Sequence, residues 1–182
     1  NACILKPAEQ TPLPALYLGK LSIEAGFPAG VINVITGDGT TGSLMSHHAG
    51  IAKIGFTGST EVGRKILQAS AASNLKKVSL ELGGKSPNVI FADADLEQVK
   101  NSVLWSSFYN SGQECTLGSR VYVHEAVKDE ILDRLAADAK ALTLGHGLED
   151  PDLGPVISKQ QLDQILGFVE KGKAEARLVC GG

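Results

Sequence analysis

Cys115 lies in a polar, glycine-flanked stretch, Tyr109-Asn110-Ser111-Gly112-Gln113-Glu114-Cys115-Thr116, with Gly118 just beyond. Cysteine is more often a small buried hydrophobe. Cys3 and Cys180, set in apolar runs, read that way; Cys115 has no such run around it. An accessible thiol becomes a nucleophile when a base or a favourable field supplies thiolate. Glu114 works the other way, because adjacent negative charge disfavours thiolate. Position alone leaves both a reactive thiol and an inert loop cysteine open. Glu81 is the second candidate. It closes the apolar run Lys77–Leu82 and precedes Gly83-Gly84. A carboxylate at the end of a buried strand is solvated, paired or functional. Desolvation would suit it to general-base work, and a salt bridge at a domain seam is the structural alternative. The third candidate is Phe56-Thr57-Gly58-Ser59-Thr60-Glu61-Val62-Gly63, where a strand runs straight into a helix. Free N–H groups and the helix dipole at such a start favour an anion such as phosphate. Neither G-x-G-x-x-G nor G-x-x-x-x-G-K-[ST] is met, since Arg64 follows Gly63. An ordinary capped turn stays open as the alternative. Gly37-Asp38-Gly39 is a weaker signal of the same kind. His47, His48, His124 and His146 form no metal-ligand spacing, and Asp93 and Asp95 read as helix-start residues.

The elements that must position these residues alternate between strand and helix. Strands are expected at Cys3–Leu5, Val31–Ile35, Ile51–Phe56, Lys77–Leu82, Asn88–Phe91 and Arg120–His124, with a stub at Leu178–Cys180. A helix from Thr11-Pro12 carries Leu13, Tyr17 and Leu21 on one face and stops at Gly26. A short helix ends near His48, and another carries Val62, Ile66 and Ala69. Asp95 caps a helix with Leu96, Val99 and Val103 on one face. Two more helices carry Ile131, Leu135 and Leu142, and then Ser158 to Lys171. This alternation implies βαβ units and a parallel sheet, with ligands beyond the carboxyl ends of the strands. Leu82-Gly83-Gly84-Lys85-Ser86-Pro87 breaks the pattern and is the expected hinge.

Composition narrows the classes. Of 182 residues, 43% are hydrophobic and 20% charged, and the net charge is 17 − 20 = −3. That suits a globular chain and excludes a disordered one. No basic excess exists for phosphate backbones, so a nucleic-acid partner is not expected. No apolar run approaches the ~18 residues of a membrane span. Three scattered cysteines make no disulfide framework, so a reducing, cytoplasmic setting is expected. The first and last residues read as the interior of a longer chain.

Four segments occur in one order: Lys6-Pro7-Ala8-Glu9-Gln10-Thr11-Pro12, Phe56 to Gly63, Leu80-Glu81-Leu82-Gly83-Gly84-Lys85-Ser86-Pro87, and Asn110 to Cys115. Together they resemble the NAD(P)-dependent aldehyde dehydrogenase superfamily. The likeness runs on through Gly154-Pro155, Gln161 and Gly181-Gly182. The resemblance implies a Rossmann-like parallel sheet segment followed by part of an α/β catalytic domain. It makes residues 1–84 the C-terminal part of a cofactor-binding domain and 85–182 the N-terminal part of a catalytic domain. Cys115 matches the family nucleophile and Glu81 its general base. Lys6 and Glu9 match residues that hold the adenosine ribose. Gly39, Thr57, Gly58, Ser59 and Val62 match the pocket around pyrophosphate and adenine, and Leu82 and Gly83 the backbone near nicotinamide. The implied reaction oxidises an aldehyde to a carboxylic acid through a cysteine thioester, with NAD, or NADP, as cofactor. Glu9 favours NAD, since a carboxylate accepts from a ribose 2′-hydroxyl and repels a 2′-phosphate. A small-molecule aldehyde and a homo-oligomeric parent are the implied partners, and no metal is implied. Leu117 departs from the pattern, which usually has Ala or Gly there, and a larger side chain could narrow the site. Acylating relatives that pass the thioester to coenzyme A typically lack the base, so Glu81 speaks against them. A catalytically silent relative and an inert fragment of an active parent are the other readings.

Overall fold

Short apolar runs bounded by glycine and proline become strands, and the longer stretches between them become helices. The computed structural model describes residues 1–182, the Lys100 side chain apart. Two units result, Asn1–Leu82 and Gly83–Gly182. Unit 1 runs β1 (Cys3–Leu5), α1 (Leu13–Glu24), β2 (Ile32–Val34), α2 (Gly39–His47), β3 (Lys53–Gly58), α3 (Thr60–Ala72) and β4 (Lys77–Leu82). Unit 2 runs β5 (Pro87–Ile90), α4 (Leu96–Phe108), β6 (Arg120–Val123), α5 (Lys128–Ala141) and α6 (Lys159–Glu175).

All pairing among the named strands is parallel, as helical crossovers require. β1 pairs with β2, β3 with β4 and β5 with β6. The expected sheet is therefore present as three two-stranded parallel pairs rather than one continuous sheet. The β3–β4 register sets Phe56 opposite Leu80, Thr57 opposite Glu81 and Gly58 opposite Leu82.

In unit 1, α3 presses Gly63, Ile66, Ala69 and Ser70 into the interior. Gly63 permits a close approach: a Cβ there would stand 3.0 Å from Leu82 Cδ2 and 3.3 Å from Leu80 Cδ1. At the opposite ends of these strands, buried Lys76 ties the helix ends together. Its Nζ donates to Ser46 O at 2.7 Å and to Ser73 Oγ at 2.8 Å. In unit 2 the core is Ile90, Val103 and Ile131, with Leu96, Val99, Val121, Val123 and Leu135 packed against it. The expected α4 face is thus the buried one. Asp95 caps that helix, accepting from the N–H of Glu97 and Gln98.

Three expectations are corrected. Leu13 and Tyr17 of α1 are 74% and 60% exposed, so the periodic face of that helix is not buried within this chain. Cys3 is exposed rather than a core residue, because β1 presents all three of its residues to solvent. Residues 178–180 form no strand; an apolar triplet becomes a strand only where a neighbour satisfies its backbone. No helix among the described residues is long and apolar enough to cross a membrane.

Candidate active site

The carboxyl end of β1 delivers Lys6. Its side chain is only 15% exposed, and its Nζ donates to Gly37 O and Pro7 O, both at 2.7 Å. These bonds fix the ammonium beside the turn that follows β2. Glu9 stands 4.0 Å away and is 54% exposed, so its carboxylate faces solvent next to a fixed positive charge. Gly37 has φ +152 and lies so close to Thr41 that a Cβ would clash with that side chain. Asp38 then caps α2, accepting from Thr40 N–H at 2.8 Å. That backbone bond lowers the Asp38 pKa below its ordinary value. Gly39 is the first residue of α2, with open space where a Cβ would stand. Lys6, Glu9 and the Gly37–Gly39 turn are thus one cluster.

A second cluster forms at the carboxyl ends of β3 and β4. Ser59 caps α3, its Oγ accepting from Val62 N–H at 3.3 Å. The cap uses the Val62 N–H, one of the first-turn N–H groups that have no acceptor within the helix. Val62 itself is partly exposed. At Gly58 an added Cβ would come within 2.6 Å of the Phe56 ring, which would have to shift. Glu61, in the same first turn, pairs with Lys65 at 2.7 Å, a bond that lowers its pKa. Thr57 and Glu81 are ladder neighbours and both are exposed. β4 alternates, so Glu81 points to the open face while Leu80 and Leu82 pack toward Gly63.

These features suit a dinucleotide on observations of this structure. A half-buried ammonium is fixed next to a solvent-facing carboxylate. Two helices start at strand ends, and Gly39 leaves backbone open to close approach.

Cys115 belongs to unit 2, as does Gly83; Glu81 and Leu82 close unit 1. α4 runs into three successive residues with positive φ: Asn110 (+50), Ser111 (+57) and Gly112 (+78). A non-glycine residue there costs about 1–2 kcal/mol, so such a run persists only where surrounding contacts hold it. Side-chain hydrogen bonds hold it. Ser111 Oγ donates to Gly154 O at 2.7 Å. Gln113 Oε1 accepts from Ile157 N–H at 2.8 Å. Gln113 Nε2 donates to Asn110 O at 3.1 Å, and Asn110 Nδ2 donates back to Gln113 O at 3.1 Å. Cys115 emerges from this loop exposed. The Gly84 backbone passes close to it: a Cβ on Gly84 would stand 3.3 Å from Cys115 O. Thr116 Oγ1 donates to Glu114 Oε1 at 2.7 Å, holding the flanking carboxylate. Leu117 is 8% exposed, so it is buried while Cys115 is not, and it does not stand in open space beside the thiol. Gly118 packs closely on Asn88, whose Cβ would lie 3.2 Å from an added Cβ. No group of three or more His, Cys, Asp or Glu side chains could hold a metal ion among the described residues.

Residue types singled out Cys115, but not Gln113 or Gly154 as its supports. Only their polarity and the repeated glycines hinted at a shaped loop.

The sequence matches the aldehyde dehydrogenase family over residues 1–182. Solved structures agree along the chain. A gamma-glutamyl-gamma-aminobutyraldehyde dehydrogenase from Burkholderia cenocepacia J2315 is 44% identical, with a TM-score of 0.97 over 100% of this chain and 37% of that one. An indole-3-acetaldehyde dehydrogenase from P. syringae, a cysteine-to-alanine mutant in complex with NAD+ and IAA, is 37% identical. Its TM-score is 0.95, over 100% of this chain and 38% of that one. A betaine aldehyde dehydrogenase from Staphylococcus aureus in complex with NAD+ is 38% identical, with a TM-score of 0.94 over 99% of this chain and 36% of that one. The chain thus spans just over a third of the length of each.

Proposed function

Since the chain belongs to the aldehyde dehydrogenase family, we propose that it carries the nucleophile, the base and much of the dinucleotide cradle of a hydrolytic, NAD-dependent enzyme. Cys115 thiolate attacks the aldehyde carbon, forming a C–S bond and an oxyanion. The Cys115 backbone N–H is one donor for that oxyanion. NAD, which Lys6, Glu9 and the starts of α2 and α3 would hold, would supply the hydride acceptor; loss of hydride from the adduct carbon would leave a thioester on Cys115. Glu81 takes a proton from water, whose oxygen attacks the thioester carbonyl; the C–S bond breaks, the acid leaves, and the proton on Glu81 passes to the Cys115 sulfur. Covalent attachment holds the reacting carbon in place between the two steps.

Lys6 and Glu9 hold the adenosine ribose, and Glu9 favours NAD over NADP. Gly39, Thr57, Gly58, Ser59 and Val62 surround pyrophosphate and adenine, and Leu82 and Gly83 approach nicotinamide. Residues 1–84 then act as cofactor-binding region and 85–182 as catalytic region. The substrate is a small-molecule aldehyde, the setting cytoplasmic, and the working protein a homo-oligomer.

The observation that carries this is an exposed cysteine at the tip of a loop held in left-handed backbone, with Gly84 packed on its carbonyl. The test is aldehyde-dependent NADH formation by the full-length chain. Cys115→Ala is expected to abolish it. Glu81→Gln is expected to keep a first burst of NADH and to stall turnover at the thioester. Undiminished activity in Cys115→Ala would remove the nucleophile assignment.

A further inference from the structure

We propose that Gln113 is a positioning residue for Cys115, and that the segment Asp152–Ile157 is the rigid jaw to which it clamps the nucleophile loop. This rests on Cys115 being the nucleophile.

The carboxamide uses both of its ends. Oε1 accepts from Ile157 N–H at 2.8 Å. Nε2 donates to Asn110 O at 3.1 Å and reaches Pro155 O at 3.5 Å. Only a group with an acceptor at one end and a donor at the other satisfies a backbone N–H and carbonyls together. Ser111 adds a second tie, to Gly154 O. The far side of the jaw is itself anchored. Asp152 Oδ2 accepts from Thr143 N–H at 2.8 Å and from Thr143 Oγ1 at 2.7 Å. Leu153 N–H donates to Thr143 O at 3.0 Å, and Gly145 N–H donates to Leu153 O at 3.1 Å. Leu153 is buried. On its other side, Ser158 caps α6, accepting from Gln161 N–H.

The jaw is therefore fixed to the exit of α5 and the start of α6, and Gln113 transfers that rigidity to a loop whose own backbone is unfavourable. Gln113 lies two residues before the thiol, and its side-chain hydrogen bonds run to backbone groups. Displacing a reacting atom by ~1 Å costs about 100-fold in rate, so a loosened loop is read in kcat before it is read in binding.

The test compares Gln113→Met, which keeps volume and loses both polar ends, with Gln113→Glu, which keeps the acceptor and loses the donor, in the full-length chain. Both are expected to lower kcat by about tenfold or more, with the Kd for NAD within about twofold of the unsubstituted protein. If Gln113→Met does not fold, Gln113→Glu decides by the same two readings. A kcat within about twofold in either folded variant overturns the proposal, as does a kcat loss matched by loss of NAD affinity, which marks general unfolding. Cys115→Ala measured alongside keeps the two questions apart. If it stays active, the nucleophile assignment is lost; if it is inactive while Gln113→Met is not, only the clamp is lost.

Discussion

The close approach of α3 to β4 can be weighed by putting a methyl group where Gly63 leaves none. In a helix interior, Gly→Ala is worth about 0.5–1 kcal/mol of added stability from backbone entropy. At Gly63 that gain meets packing. The new Cβ would stand 3.0 Å from Leu82 Cδ2 and 3.3 Å from Leu80 Cδ1, against about 3.5–4.0 Å for relaxed carbon contacts. Overpacking of this kind costs about 1–3 kcal/mol. The net expectation for Gly63→Ala is a loss of about 0–2.5 kcal/mol. Gly167 supplies the control: it is also inside a helix, but nothing lies within 4 Å of an added Cβ. Gly167→Ala should therefore show the propensity term alone, a gain of about 0.5–1 kcal/mol. The assay is urea unfolding of each variant, read as a midpoint shift at constant slope. The two substitutions are expected to move the midpoint in opposite directions, or Gly63→Ala to leave it unchanged. If Gly63→Ala stabilises as much as Gly167→Ala, helix and strand do not approach as described. Leu80 and Leu82 flank Glu81, so the same substitution also displaces the end of β4 that presents the carboxylate.

Ser59→Ala removes the cap of α3 and should cost about 1 kcal/mol, with a parallel loss of NAD affinity by calorimetry; unchanged stability would deny the cap. Ile131→Ala opens the core of unit 2, where Ile131 is 2% exposed, and should cost about 2–5 kcal/mol in denaturant unfolding; a loss under about 1 kcal/mol would mean the site collapses freely. Asp152 is held below its ordinary pKa by the Thr143 backbone N–H and then the Thr143 hydroxyl. A depressed folded-state pKa contributes stability above the unfolded value of about 3.9 and loses it as pH falls through the folded value. The advantage of the unsubstituted protein over Asp152→Asn should thus be present near neutrality and shrink in acid below about pH 4. An advantage independent of pH would contradict this.

Short-range chemistry was legible in the residues. β4 spans Lys77–Leu82 as its apolar alternation implies, Asp95 caps α4, and Ile66 and Ala69 face inward on α3, because caps and periodic faces depend on neighbours within a turn or two. The candidate nucleophile was legible for the same reason: a cysteine among polar and glycine residues is unlike one in an apolar run. Cys3 is exposed although it lies in an apolar run, which shows only that a residue could be buried, not that a neighbour covers it.

Tertiary structure decided what depends on partners far along the chain. It joined Gln113 to Ile157 and Ser111 to Gly154, made Gly63 a contact point for Leu80 and Leu82, buried Leu117 and left Glu81 open to solvent. No periodicity announces such pairings. A backbone carbonyl is the same group in every residue, and which distant side chain reaches it follows only once the strands and helices are packed.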